Sequence, residues 1–117
     1  MARRRRPRAE NGEYIDEDGN ALELRGSISA PTRAAYARIA SGVDLTPGAS
    51  REDAWQRSFE FLFERLAVSW TIAGAPPLER QRDLLGRLRM ASSAERDWIR
   101  GCLRTHCERY FPDVNAP

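Results

Sequence analysis

The strongest apolar pattern in the chain predicts one long helix that begins near Ser50. Its apolar residues follow one another at intervals of four, three, four and four positions: Trp55, Phe59, Leu62, Leu66 and Trp70. Such intervals place them on one face of an α-helix. Ser50 and Asp53 have the spacing of a capping box, in which each side chain bonds a free N–H group of the first turn. We therefore predict that the helix starts directly after Ser50.

The end of this helix has two interpretations. Four apolar residues in its last part alternate with small ones: Leu66, Val68, Trp70 and Ile72. Alternation of this kind, with β-branched side chains, is typical of a strand. Helix breakers appear only from Gly74 onward. We favour a helix that continues to Ala73, and a strand over residues 66–73 is the alternative.

A β-hairpin is predicted ahead of the helices. Leu22 and Leu24 alternate with polar residues, and the Asp18-Gly19 turn separates them from Tyr14-Ile15. The acidic turn does not fit a calcium-binding loop, because its twelfth position is Ser27 where such a loop needs glutamate. Since an isolated hairpin is marginal in water, we expect this one to pack against the helices.

Three further helices complete the predicted fold. They cover residues 29–41, with Gly42 as the C-cap, residues 78–90, and residues 92–109, which open on a second capping box. The elements together predict a mainly α protein: a small bundle of about four helices with an N-terminal β-hairpin and a disordered arginine-rich tail. A chain of 117 residues suits one domain. We assign residues 1–12 to the basic tail, 13–113 to a single helical domain and 114–117 to a C-terminal tail.

The distribution of charge indicates a candidate segment for nucleic-acid binding. All 19 basic residues are arginine, and the formal net charge is only +2. Five of the arginines lie together near the start of the chain: Arg3, Arg4, Arg5, Arg6 and Arg8. Basic arms of this kind bind phosphates with an affinity that depends strongly on salt. The arginines of the last two helices are interleaved with acids, which predicts a solvated face with ion pairs.

Residues suited to catalysis or metal binding are sparse. His106 is the one histidine, and Cys102 lies one helical turn before it, while Cys107 faces another direction. No orienting acid, phosphate loop or paired metal-ligand motif accompanies them. We predict a structural histidine, reduced cysteines, no cofactor, no metal and no enzymatic activity. Because no signal peptide or apolar run of membrane-spanning length is visible, we expect a cytoplasmic protein with no membrane partner.

The aromatic residues of the long helix are the candidate partner-binding site. The four candidates are Trp55, Phe59, Phe63 and Trp70. Apolar residues lie on more than one side of this helix. Either the helix is central and the others surround it, or part of its surface is a groove for a protein partner.

Several strings resemble a known class of proteins. They lie at residues 14–25, 59–70, 84–91, 98–100 and 110–113, and include Phe-Glu-Phe-Leu-Phe-Glu-Arg-Leu-Ala-Val-Ser-Trp. They resemble small helical proteins encoded in actinobacterial phage and prophage tail operons, most of all tail assembly chaperones. The resemblance implies a non-enzymatic protein that binds a long helical tape-measure protein and keeps it soluble. The alternative is a small nucleic-acid-associated protein, a regulator or packaging accessory, that uses the N-terminal arginines.

Overall fold

The computed structural model describes residues 10–43, 48 and 50–117. Within them it contains a three-stranded antiparallel sheet and four helices. In chain order these are β1 (Gly12–Ile15), β2 (Ala21–Leu24), α1 (Ala30–Ser41), α2 (Arg51–Leu66), β3 (Ala67–Thr71), α3 (Gln81–Arg89) and α4 (Ser93–Tyr110). The prediction of a mainly α fold with a small β part is confirmed. The arginine-rich tail lies outside the described residues.

The predicted hairpin forms through local hydrogen bonds at its turn. The Asp16 carboxylate accepts bonds from the backbone N–H groups of Asp18 and Asn20, each at 2.9 Å. Gly19 has a φ of +83°, a conformation that glycine adopts at little cost. The acid at position 16 thus holds the turn, and β1 and β2 pair with Tyr14 opposite Leu22.

The helix that we expected to reach Ala73 ends at Leu66, and that prediction was wrong. The chain changes to the extended strand β3, which pairs with β2 so that Trp70 lies opposite Leu22. Local periodicity allowed both interpretations. The strand forms because β2 needs a second partner for its backbone groups, and pairing to a strand more than 40 residues earlier in the chain satisfies them. Pairing with a strand so distant in the chain cannot be predicted from the local sequence pattern.

The predicted helix starts are confirmed by their caps. Ser50 with Asp53, and Ser92 with Glu95, form reciprocal capping boxes at α2 and α4. The third helix starts later than predicted, at Gln81, because Leu78 forms two backbone hydrogen bonds of 2.9 Å with Trp70 of β3. Residue 78 therefore belongs to the edge of the sheet.

One core lies between the inner face of the sheet and helices α2, α3 and α4. Leu22 and Leu24 point into it from β2, and both have no exposed surface. Helix α1 packs on the outer side of α2, where the Tyr36 ring stacks on Phe61 at 6.4 Å between centroids. The core also reaches past α4, because Val114 is buried. Residues that we assigned to the tails, at positions 12 and 114, thus belong to the packed fold.

Candidate functional site

Three of the four predicted partner-binding aromatics lie in the core. Phe59, Phe63 and Trp70 are each at most 1% exposed, and Phe63 meets Trp70 edge to face at 5.8 Å. Helix α2 is therefore the central helix, the first of the two arrangements that its apolar residues allowed. The predicted aromatic groove is not a surface of this fold, because three of its four rings are buried in the core and α1, α3 and α4 pack against α2. Trp55 alone of the four is partly exposed.

Trp55 contacts Phe59 and Arg100, which also lie close to each other. Its ring lies parallel to that of Phe59 at 6.2 Å, and the Arg100 guanidinium sits 4.6 Å from its centroid. Arg100 also pairs with Asp97 at 2.6 Å. The stack fixes the orientation of Trp55 at the surface, where it borders a groove that the sequence did not reveal.

This groove runs along α1. Two adjoining cavities of about 490 and 680 Å³ share Tyr36, Ala40, Ser41 and Asn115. We call them together the α1 groove. Its lining includes four exposed small residues, three from α1 and the N-cap of α2: Ala34, Ala37, Ala40 and Ser50. Trp55 lies at one end of the groove, and Arg33 lies at the other.

The far wall of the α1 groove is the C-terminal segment. The Tyr36 hydroxyl donates to the Asn115 carbonyl at 2.5 Å, and Arg33 forms an ion pair with Asp113. Burial raises the pKa of Tyr36 to about 12, so its hydroxyl stays protonated and remains a donor at neutral pH. With Val114 buried beside these bonds, the segment forms a fixed wall. The C-terminal segment thus gives the groove a defined shape.

A second arrangement surrounds His106. The ring is fully buried, with Nδ1 2.8 Å from the Tyr14 hydroxyl and Nε2 2.6 Å from the Arg25 carbonyl. A carbonyl only accepts, so Nε2 carries the proton and Nδ1 accepts from Tyr14. Burial lowers the pKa of His106, which keeps the ring neutral at physiological pH. The histidine thus occupies a structural position, as the sequence predicted.

The neighbouring thiols are poor nucleophiles. Cys102 and Cys107 are both buried and free, and burial raises their pKa values to about 12 and about 11. Only the thiolate form attacks or binds metal. Among the residues that the structure describes, no group of three or more histidine, cysteine or acidic side chains is placed to hold a metal ion.

The arginine candidates fall into two groups. Arg3, Arg4, Arg5, Arg6 and Arg8 lie outside the described residues. In the last two helices, Arg87 pairs with Glu95 at 2.5 Å and Arg89 pairs with Glu60 at 2.8 Å. Together with the Arg100–Asp97 pair, these contacts show the ion-paired face that the sequence predicted.

Comparison with known proteins returned no match: no family model matches the chain, and no curated protein or solved structure is significantly similar to it. Across the described ranges, none of the helices combines the length and the apolar character that a membrane span requires. The function must therefore be argued from the geometry of the chain itself.

The sequence reasoning missed the α1 groove because small residues give a weak signal. Ala30, Ala34 and Ala37 recur at intervals of four and three along α1, the spacing of a helical stripe. The large apolar residues of α2 give a stronger sequence pattern. Since Tyr36 is the one buried residue of α1, the shortage of large side chains on this helix was the available sign that one of its faces lies open.

Proposed function

We propose that the protein is a non-enzymatic interaction module that binds a helical segment of a partner protein in the α1 groove. The observation that carries the proposal is the groove itself, an open channel floored by alanines along the whole of a 12-residue helix. At 1.5 Å per residue, that floor is about 18 Å long, enough for roughly three turns of a second helix. Small side chains at a helix contact allow the two axes to come close together.

The lining supports a partner with an apolar stripe. Helix-in-groove recognition places apolar side chains at helical spacing into a hydrophobic channel. Trp55 offers a partly exposed aromatic ring at one end, already held by Phe59 and Arg100. Rigid aromatic anchors contribute much of the binding energy at such interfaces. Trp55 is thus the one member of the predicted aromatic set that we retain as a contact residue.

Within this class, we propose a tail assembly chaperone whose client is a tape-measure protein. The resemblance of the sequence to phage tail proteins is one support, and the fit between a long helical client and a helix-sized groove is the other. Such a chaperone would cover the apolar stripe of its client and keep the client soluble until assembly.

The test starts from the genes on either side. A long, mostly helical reading frame next to this gene gives a defined client to coexpress with the full chain. We expect the client to become soluble and to comigrate with the chain in size-exclusion chromatography. Failure of the wild-type chain to bind that client, or flanking genes without such a frame, would reject the chaperone proposal.

A pair of variants tests the groove. Ala40→Arg places a long charged side chain where the two cavities meet, and we expect it to weaken client binding at least about tenfold, with stability unchanged within about 0.5 kcal/mol. Thr105→Arg adds the same side chain to an exposed position of α4 and should bind like the wild type. Equal binding by both variants would show that the site lies elsewhere.

The nucleic-acid alternative makes a different prediction. It requires DNA or RNA binding that weakens steeply with salt and disappears when residues 2–8 are deleted. The interaction-module proposal expects this deletion to leave client binding intact. A salt-titrated binding assay on the full chain and on the deletion variant separates the two.

A further inference from the structure

Two distant parts of the chain, the N-terminal hairpin and the last helix, meet at the ring of His106. Tyr14 belongs to β1, Arg25 directly follows β2, and His106 lies in the fourth turn of α4. The partners are 92 and 81 residues away from the histidine along the chain. The ring is therefore the point at which the hairpin is joined to the last helix.

Both nitrogens of the neutral His106 ring form a hydrogen bond. Nε2–H donates to the Arg25 carbonyl, and the unprotonated Nδ1 accepts from the Tyr14 hydroxyl. A proton added at Nδ1 would face the hydrogen of that hydroxyl. The hydrogen bond to the Arg25 carbonyl is retained on protonation. The hydrogen bond to Tyr14 can re-form only if the hydroxyl rotates, so that its oxygen accepts from Nδ1–H. Protonation thus acts on the β1 side of the ring.

The surroundings do not compensate a positive charge. Tyr14 of β1 and Tyr110 of α4 contact the ring, the charge of Arg109 on α4 acts on it, and the Arg25 carbonyl after β2 accepts its Nε2–H. Phe111 packs against the ring from the C-terminal segment without any charge. None of these groups is a carboxylate, and the charge of Arg109 opposes protonation. A protonated His106 ring at this position is therefore stabilised by exposure to water.

Strand β1 covers the Nδ1 side of the ring from the edge of the sheet. It is an edge strand paired with β2, and its Glu13 and Ile15 side chains are exposed. Gly12 lies so close that a Cβ there would be 2.9 Å from Nδ1. The adjacent β2–β3 pair does not depend on β1, since β2 lies between the other two strands. Strand β1 can therefore leave while the rest of the sheet stays paired.

We propose that His106 is a proton-operated latch, whose protonation releases β1 from α4 while β2, β3 and the four helices stay folded. The lowered pKa of the buried ring agrees with this, because such a ring takes up its proton more readily once β1 has opened. The latch would make β1 more accessible in mildly acidic surroundings. It is independent of the proposed function.

The chain is well suited to a direct test because it contains one histidine. Between about pH 5 and 7.5, no other side chain titrates at its ordinary pKa. We would follow the imidazole signals and all backbone amides by NMR on the full chain over this range, with amide exchange corrected for its intrinsic pH dependence. We expect the amide exchange rate in β1 to rise roughly tenfold on acidification, and the midpoint of this rise to coincide with the midpoint of the His106 titration. Amides of α2 and α4 should stay protected.

Two variants and a control complete the design. His106→Gln should remove the pH dependence of β1. Tyr14→Phe should speed β1 exchange at pH 7.5 and reduce its response to acid. Tyr110→Phe alters a ring that packs 4.5 Å from His106 but is not its hydrogen-bond partner, and should respond like the wild type. Should His106→Gln not fold, the two tyrosine variants still decide the matter.

Two results would overturn the latch. One is β1 exchange that does not follow the ring titration. The other is loss of protection in all elements together, which would show that the histidine supports the whole fold without a separate opening of β1. An equal response of Tyr14→Phe and Tyr110→Phe would also contradict the proposed role of the Tyr14 bond.

Discussion

At the scale of single residues, the closest fit in the molecule is between Gly12 and His106. A methyl group at position 12 would lie 2.9 Å from Nδ1 and 3.1 Å from the Tyr14 hydroxyl. Real side chains do not approach this closely, so the strand or the ring would have to move. The sequence alone marks this glycine only as a residue near a hairpin, because the histidine that it faces belongs to the last helix.

Gly12→Ala should therefore destabilise the protein by about 1–3 kcal/mol, because the added methyl group displaces the histidine or the strand. Urea denaturation followed by circular dichroism measures the change. Gly101→Ala is the matched control: it lies within α4 with open space around it, and alanine there should stabilise by about 0.5–1 kcal/mol. Equal effects of the two substitutions would contradict the tight packing at position 12.

At the scale of the elements, helix starts follow from short sequence patterns, whereas the end of α2 does not. Ser92 and Glu95 lie three residues apart, and the side chain of each accepts a hydrogen bond from the backbone N–H of the other, at 3.0 and 3.1 Å. All the information is local. The end of α2 at Leu66 depends on the pairing of Ala67–Thr71 with β2, a contact between distant parts of the chain.

Ser92→Ala removes the N-cap of α4 and should lower the free energy of unfolding by about 1 kcal/mol, since one backbone N–H of the first turn loses its acceptor. Ser93→Ala, one position later and exposed, should change it by less than about 0.5 kcal/mol. Thermal unfolding of the two variants beside the wild type gives the comparison. A larger loss from the Ser93 variant would contradict the assigned cap.

At the scale of the whole molecule, one core gathers residues from β2, β3 and all four helices, and Tyr14 of β1 packs against it. Phe63 has no exposed surface and contacts Trp70, whereas Trp55 is partly exposed next to the α1 groove. The two aromatic residues are eight positions apart on α2 and looked equivalent in the sequence. Their different burial follows from which neighbours the tertiary structure brings to each side of the helix.

Phe63→Ala should lower the free energy of unfolding by about 3–5 kcal/mol, because it leaves a cavity in the core. Trp55→Ala should lower it by less than about 2 kcal/mol and weaken client binding. Denaturant titration and the coexpression assay together distinguish the roles. A Phe63 variant that stays stable but loses its client would restore the aromatic binding site that the sequence suggested.

The stability of the molecule should fall in two steps on acidification. The pKa of His106 is lowered by burial, so its contribution is complete above about pH 6.5 and is lost as the pH falls to the folded-state value. The pKa values of Asp53 and Glu95 are lowered mainly by backbone N–H groups of Ser50 and Ser92. Their contributions persist above about pH 4.5 and are lost below it.

Urea midpoints measured from pH 7.5 to pH 3 would show both steps. His106→Gln should abolish the upper step and leave the lower one. An unchanged upper step in this variant would assign it to another group.

The sequence by itself determined what neighbouring residues can settle among themselves. The capping boxes, the Gly42 C-cap and the hairpin turn were all predicted, because the residues that form each of them are close neighbours in the chain. The mainly α class followed from the same local patterns.

Only the tertiary structure decided where the open surface lies. The conversion of residues 67–71 into β3, the burial of Phe59, Phe63 and Trp70, and the α1 groove all depend on contacts between segments that are distant in the chain. A residue's side of a helix can be predicted from periodicity, but its exposure depends on what packs against that side. The same is true of His106, whose two partners lie more than 80 residues away.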